Sequence, residues 1–302
     1  MIRRVLVLMG GWSVERAVSL VGGSAVTSAL KGLGYDVSSV DVQQRNVAAL
    51  LGLSRPLPDV VFNALHGRFG EDGCVQGVLN ILGIPYTHSG VLASALAMNK
   101  VMARRLFAQA GIPVAMGMVV RRAELLAEDP LPRPYVIKPL NEGSSFAVQI
   151  IRGEDGEAPL AKREWLYGEQ VLVESFIPGR ELTIAVMGEQ PLAVTEIVTD
   201  HVFYDYDAKY TASASRHILP APLSPAVTEE ALRLALLAHQ ALGCRGVSRA
   251  DFRFDGKRLV ILELNTQPGM TPTSLVPEQA AYLGINFSAL VEWMVENAAC
   301  DV

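Results

Sequence analysis

Val5-Leu6-Val7-Leu8-Met9 is an unbroken apolar run that stops at Gly10-Gly11. A strand with no polar face must be covered on both sides, which a parallel sheet flanked by helices provides. The glycines suit a tight turn feeding a helix. Ser13 can cap a helix running toward Leu30, with Val14, Val18, Val21 and Ala25 on one face. Residues 37–42 and 60–64 read as further short strands. This rhythm predicts an open, mostly parallel α/β domain over about the first 90 residues.

The pattern then changes. Residues 99–110 read as a helix stopped by Gly111-Ile112-Pro113, followed by short strands at 115–120, 135–138, 147–151 and 171–174, which suits a small α+β domain. From Arg180 strands return. They precede a helix at 227–242 with the stripe Ala231, Leu234, Ala235, Ala238 and Leu242, and a last helix with Phe287, Leu290, Val291, Met294 and Val295. The segments 200–216 and 268–277 are long for plain connections and read as functional loops.

Half of the 302 residues are hydrophobic and 19% are charged, so the chain can fill a core and is not disordered. The net charge of −5 lacks the basic excess of a duplex nucleic-acid binder. Cys74, Cys244 and Cys300 are far apart, which excludes a zinc pattern, a redox pair and a disulfide framework and suits a reducing compartment. The apolar run after Met1-Ile2-Arg3-Arg4 is too short for a signal peptide. The longest uncharged stretch, 75–99, is broken by Gly83, Pro85 and Gly90, and reads as a buried helix, a turn and a loop rather than a membrane span.

The chemistry concentrates in Val247 through Asn265. Asp255-Gly256 signals a hairpin. Strand alternation puts Arg249 and Asp251 on one side and Glu263 and Asn265 on one side, and an odd-length loop in regular pairing makes those sides coincide. Two carboxylates and an amide oxygen on one face form a hard-cation site suited to Mg²⁺ with nucleotide phosphates. From the charges alone a solvated polar face is an equal reading, but carboxylates flanking the apolar run 259–264 need partners. Lys138 before Gly143-Ser144-Ser145 offers an ammonium and backbone N–H groups to phosphate, although those residues alone read equally well as a surface turn. The strand 171–174 enters a turn whose backbone groups can meet an adenine edge, with Glu181 for a ribose hydroxyl, although by itself the stretch reads as a plain strand and turn. His66 lies at the carboxyl end of a predicted parallel strand, where ligands of open sheets bind. Glu15 sits just inside a helix amino terminus, where the dipole favours it in any case.

Taken in order, these segments resemble the bacterial D-alanine–D-alanine ligases of the ATP-grasp superfamily over essentially the whole chain. The matching stretches include Gly10 to Arg16, Ala64 to Arg68 with Gly70-Glu71-Asp72-Gly73, Met98-Asn99-Lys100, and Lys138-Pro139 with Glu142 to Ser145. Phe203 to Tyr210, Arg249 with Asp251, Glu263 to Thr266, and Pro268 through Pro277 complete the series. The resemblance implies an ATP-grasp fold, with an amino-terminal open parallel α/β domain (1–91) and two α+β subdomains (92–178 and 179–302) enclosing the nucleotide. It also implies that ATP phosphorylates one D-alanine and the amine of a second attacks the acyl phosphate.

The resemblance further implies residue roles. Lys100, Lys138 and Lys209 hold ATP phosphates, and Glu174, Phe176, Ile177 and Glu181 frame the adenosine. Asp251, Glu263 and Asn265 bind two Mg²⁺ or Mn²⁺. Glu15 binds the first ammonium beside His66, and Ser144 and Tyr210 join Glu15 in a network between two closing loops. Arg249 and the Gly269 N–H meet the oxyanion, and Ser274 and the Leu275 N–H meet the second carboxylate. A cytoplasmic homodimer in cell-wall precursor synthesis is implied too, with neither nucleic acid nor membrane as partner.

The sequence departs from the family pattern at Trp12, Asn99, Phe146-Ala147 and Gln267, the last where Ser or Thr is frequent. Because the lid carrying Lys209-Tyr210 is altered in related ligases that make D-alanyl-D-lactate, the resemblance implies that the intact pair favours an amine over a hydroxyl nucleophile. The alternatives are another ATP-grasp carboxylate–amine ligase, a D-alanine–D-lactate ligase, a non-catalytic ATP-binding protein and a sugar- or amino-acid-binding α/β protein.

Overall fold

The structure is a computed structural model that describes residues 3–43, 57–141, 147–153, 165–199 and 215–301. Strands β1 (Arg4–Gly10), β2 (Asp36–Val42) and β3 (Val60–Asn63) form a parallel sheet in the order β2-β1-β3. The run in β1 alternates between two cores. Val5 and Val7 pack with Val26 and Leu30 and with Leu290, Val291, Met294 and Val295 of the helix Phe287–Glu296. Leu6 and Leu8 pack with Val75, Leu79 and Tyr86 on the other face. The last helix thus covers the first sheet and leaves β1 no solvent side.

The first helix, Arg16–Gly32, is rotated from the expected face. Ser19, Gly22, Gly23, Val26 and Leu30 are buried, whereas Val14 and Val21 are more than half exposed. The cause is backbone approach: a Cβ on Gly23 would lie 2.5 Å from the Met9 Cβ, and one on Gly22 would touch the Met270 backbone. Ser13 does not cap the helix. Glu15 occupies the cap position, and Ser13 Oγ accepts the Glu15 N–H at 3.2 Å. The stretch 75–99 contributes two helices, Cys74–Leu82 and Val91–Met98, and no helix among the described residues is long and apolar enough to cross a membrane.

Strands β4 (Gly117–Arg121), β5 (Tyr135–Lys138), β6 (Gln149–Ile151) and β7 (Gln170–Ser175) form an antiparallel sheet in the order β4-β7-β5-β6. A second antiparallel sheet contains β8 (Arg180–Met187), β9 (Gln190–Thr199), β10 (Ser215–Ile218), β11 (Val247–Phe254) and β12 (Leu259–Asn265), ordered β10-β9-β8-β11-β12. The helix Pro225–Ala241 lays the expected stripe against Leu182, Ile184, Ala250, Phe252 and Leu264 of this sheet. The helix Lys100–Gln109 adds Ala103 and Phe107 to the same core, and Asn99 Oδ1 accepts the Met102 N–H to start it. That helix faces β12 on one flank and reaches β7 through Arg104 on the other.

The hairpin reaches its shared face by a different route from the one expected. Phe254 pairs with Leu259 across the even turn Asp255 to Arg258, so regular pairing would set Asp251 opposite Leu262. A register shift between Asp251 and Phe252 leaves Leu262 unpaired. Asp251 therefore meets Glu263 and Arg249 meets Asn265. A second irregularity lies between Ile184 and Val186 of β8, where β9 leaves the Ala185 N–H without a strand partner. Gln279, from the helix Leu275–Tyr282, fills it: its Oε1 accepts Ala185 N–H at 2.8 Å, and its Nε2 donates to Thr183 O and Thr195 Oγ1.

Candidate active site

The odd positions of β11 carry the polar face, because Ala250 and Phe252 are consumed by the core. Arg249 forms a two-pronged ion pair with Asp251, Nε to Oδ1 at 2.9 Å and Nη2 to Oδ2 at 2.7 Å. Thr183, paired with Asp251 across β8, donates to the same Oδ1 at 2.6 Å. Glu263 takes Lys100 Nζ at 2.9 Å. Asn265 Oδ1 accepts the Gln267 N–H at 2.7 Å. Asp251, Glu263 and Asn265 thus share a face as expected, each oriented by a donor. Among the described residues no group of three or more His, Cys, Asp or Glu forms a cage. The fit to a hard divalent cation rests on two opposed carboxylates and one amide oxygen, which is the donor chemistry such an ion takes.

Two cations on the helix Lys100–Gln109 bridge the sheets. Lys100 reaches Glu263, and Arg104, one turn on, reaches Glu174 at 2.8 Å. Glu174 is buried and also takes Lys138 Nζ at 2.6 Å. The Lys100 N–H donates to Leu140 O, which holds the helix start against the segment after Lys138. Gly117 makes room for this cluster, since a Cβ there would lie 2.6 Å from Val173 O and 2.8 Å from an Arg104 nitrogen. Arg104 escaped the sequence reading, although its spacing four residues after Lys100 was the available signal.

Arg253 was missed as well, and it continues the alternation of Arg249 and Asp251. Its guanidinium donates to Ile177 O at 3.2 Å, Gly179 O at 2.8 Å and Glu181 at 3.2 Å, and lies over the Phe176 ring. Gly179 permits this approach with φ +99°, where a Cβ would sit 2.2 Å from Phe254 O. Phe176, Ile177 and Glu181 are therefore gathered around one cation.

The first sheet presents Glu15 and His66. Ser19 Oγ joins their supports, accepting the Gly10 N–H and donating to Ala64 O at 2.6 Å. Gly67 (φ +72°) brings the turn after β3 against Ser13 and the Glu15 carboxylate. His66 Nδ1 lies 2.9 Å from Glu71 Oε1, both buried. Burial opposes the charged ring, yet Glu71 and then Glu15 outweigh it and hold His66 above the usual imidazole range, with Arg249 close enough to oppose them. Gly269 stands beside Ser274: a Cβ there would be 3.1 Å from Ser274 Oγ. Thr271 bonds that hydroxyl at 2.7 Å, and Leu275 opens the following helix. Ser144, Lys209 and Tyr210 lie outside the described residues.

Comparison with known proteins gives one answer. Two family profiles, described as D-ala D-ala ligase C-terminus and N-terminus, match residues 106–296 and 52–89. The D-alanine--D-alanine ligase of Rhodospirillum rubrum is 60% identical over 301 residues, 100% of both chains. That of Acidiphilium cryptum is 56% identical, covering 99% of this chain and all of its own. Among solved structures, a Bacillus anthracis D-alanine--D-alanine ligase superposes with a TM-score of 0.84 at 30% identity, covering 98% of this chain and 97% of its own. The VanG D-Ala:D-Ser ligase of Enterococcus faecalis gives 0.81 at 28% identity, covering 98% and 99%. With 60% identity over the full length of both chains and a TM-score of 0.84 at near-complete coverage, the chain belongs to the D-alanine–D-alanine ligase family, with the ATP-grasp fold.

Proposed function

We propose that this protein joins two D-alanine molecules into D-alanyl-D-alanine at the expense of ATP, through a D-alanyl phosphate, for peptidoglycan precursor synthesis. The observation that carries the proposal is the direct pairing of Asp251 with Glu263 and Arg249 with Asn265 on one face, with Lys100 on Glu263. Asp251, Glu263 and Asn265 would hold two Mg²⁺ or Mn²⁺, which supply charge neutralisation at the ATP phosphates. Lys100 and Lys138 bind those phosphates, with Lys209 from the 200–214 segment, and Glu174, Phe176, Ile177 and Glu181 frame the adenosine. Glu15 takes the ammonium of the first D-alanine, beside His66 and supported by Ser144 and Tyr210. Arg249 and the Gly269 N–H offset the charge that develops on the tetrahedral oxygen. Ser274 and the Leu275 N–H hold the second carboxylate.

The chain divides at 1–91, 92–178 and 179–302 in this reading, one unit per sheet. The enzyme works as a cytoplasmic homodimer without nucleic acid or membrane. The acidic balance supports the absence of nucleic acid, and the exposed Ile81 and Leu92 on touching helices support the dimer.

The test is ADP release with D-alanine, L-alanine, D-lactate or no substrate, with and without Mg²⁺. D-Alanine- and Mg²⁺-dependent release is expected, and Glu263→Gln should abolish it while leaving the circular dichroism spectrum unchanged. Full turnover in that variant would remove the metal assignment. Release with L-alanine and not D-alanine would point to a different carboxylate–amine ligase.

A further inference from the structure

Gln267 is fully buried at the junction of the metal ribbon and the first sheet. Its backbone N–H fixes Asn265 Oδ1. Its side chain leaves the ribbon: Nε2 donates to Leu65 O, the carbonyl preceding His66, and Oε1 accepts Asn63 Nδ2 at 2.9 Å and faces Gln76 Nε2 at 3.5 Å. Asn63 and Gln76 also both donate to Gly70 O, the carbonyl preceding Glu71, at 2.9 Å. One amide therefore grips the turn that carries the His66–Glu71 pair while its own backbone orients a metal-ligand candidate. It also directly precedes Pro268-Gly269. A serine hydroxyl in its place stops one heavy atom beyond Cβ and cannot span this gap.

We infer that Gln267 is a positioning residue that sets the amino-terminal substrate turn at His66 against the Asn265–Gly269 segment, and so aligns the two amino-acid sites without contacting ATP. The inference rests on the ligase reading above. Lys100, Lys138 and the 176–181 turn make none of its contacts, and the backbone N–H that holds Asn265 survives substitution, so the nucleotide side should be indifferent to loss of the side chain. Misplacing reacting groups by about 1 Å costs on the order of a hundredfold in rate.

The test compares wild type with Gln267→Met, which keeps the bulk and removes both bonds, and Gln267→Glu, which keeps the acceptor and loses the donor when ionised. Gln267→Met should lower kcat at least about tenfold, with KM for ATP within twofold and D-alanine as the substrate affected. Gln267→Glu, which offers Leu65 O no donor when ionised, should lower kcat in the same direction with KM for ATP again within twofold. If Gln267→Met fails to fold, the kcat and KM of Gln267→Glu carry the test. A kcat within twofold of wild type or a loss confined to KM for ATP would each overturn the assignment, whatever the change in Tm. A wild-type protein inactive with D-alanine would instead overturn the ligase reading.

Discussion

Replacing Glu174 with Gln removes the anion shared by Arg104 and Lys138. The carboxylate is 2.8 Å from one and 2.6 Å from the other, and the three side chains are 6%, 15% and 12% exposed. At an effective dielectric of about 20, each contact is worth about 6 kcal/mol before desolvation. Most of that was spent in taking the charges out of water. The relevant figure is the cost of leaving buried cations uncompensated, about 3–5 kcal/mol when one partner of such a pair is removed. Against a typical total of about 5–15 kcal/mol this is a large loss. Urea unfolding without nucleotide, followed by circular dichroism, should show it. Because the cluster is buried, raising the salt should change it little. Arg104→Gln alone should cost less, since Lys138 keeps its partner. The double variant Glu174→Gln/Arg104→Gln should be more stable than Glu174→Gln, because the facing cation is gone. A Glu174→Gln protein within 1 kcal/mol of wild type, or a double variant less stable than either single one, would refute the reasoning. A purely adenosine-framing Glu174 predicts that refuting result together with weaker ATP binding.

Burial, and then the neighbouring His66, push His88 down to about 3. The unfolded chain takes up this proton near pH 6.5 and the folded one does not, so stability is full above that pH and falls toward pH 3 by up to about 1.4 kcal/mol per unit. His239, pushed down to about 4 by burial, adds in the same window. The stability gap between wild type and His88→Gln, measured in urea at pH 7.5, 5.5 and 4.5, should shrink with acid; parallel curves would contradict this. Gln279→Leu leaves Ala185 N–H and Thr183 O without their bonds and should cost about 1–3 kcal/mol, with faster hydrogen exchange at Ala185. Unchanged exchange there would show that the β8 irregularity needs no plug.

Much of the fold is written locally. The apolar run of β1, the stripe of the helix Pro225–Ala241 and the Asn99 cap each follow from spacing and residue type, because burial and capping act within one element. The first helix shows the limit: its valines form a plausible stripe, but the paired glycines allow closer contact with Met9 and Met270, and closeness won. The metal face illustrates the same division. Alternation put Arg249 with Asp251 and Glu263 with Asn265, and the turn length alone would have set those pairs on opposite sides. The extra residue at Leu262, accommodated by the packing of β11 between β8 and β12, brought them together. Spacing placed Arg104 and Arg253 on the faces of Lys100 and Arg249, but what Arg104, Arg253 and Gln267 bind could not be read, because their partners lie far away in sequence, at Glu174, Glu181 and Leu65. Sequence determines which residues can share a face, since that is a property of the repeat of one strand or helix. Which faces meet is decided only when the sheets close on one another, because a buried charge or amide takes its orientation from whichever distant partner satisfies it.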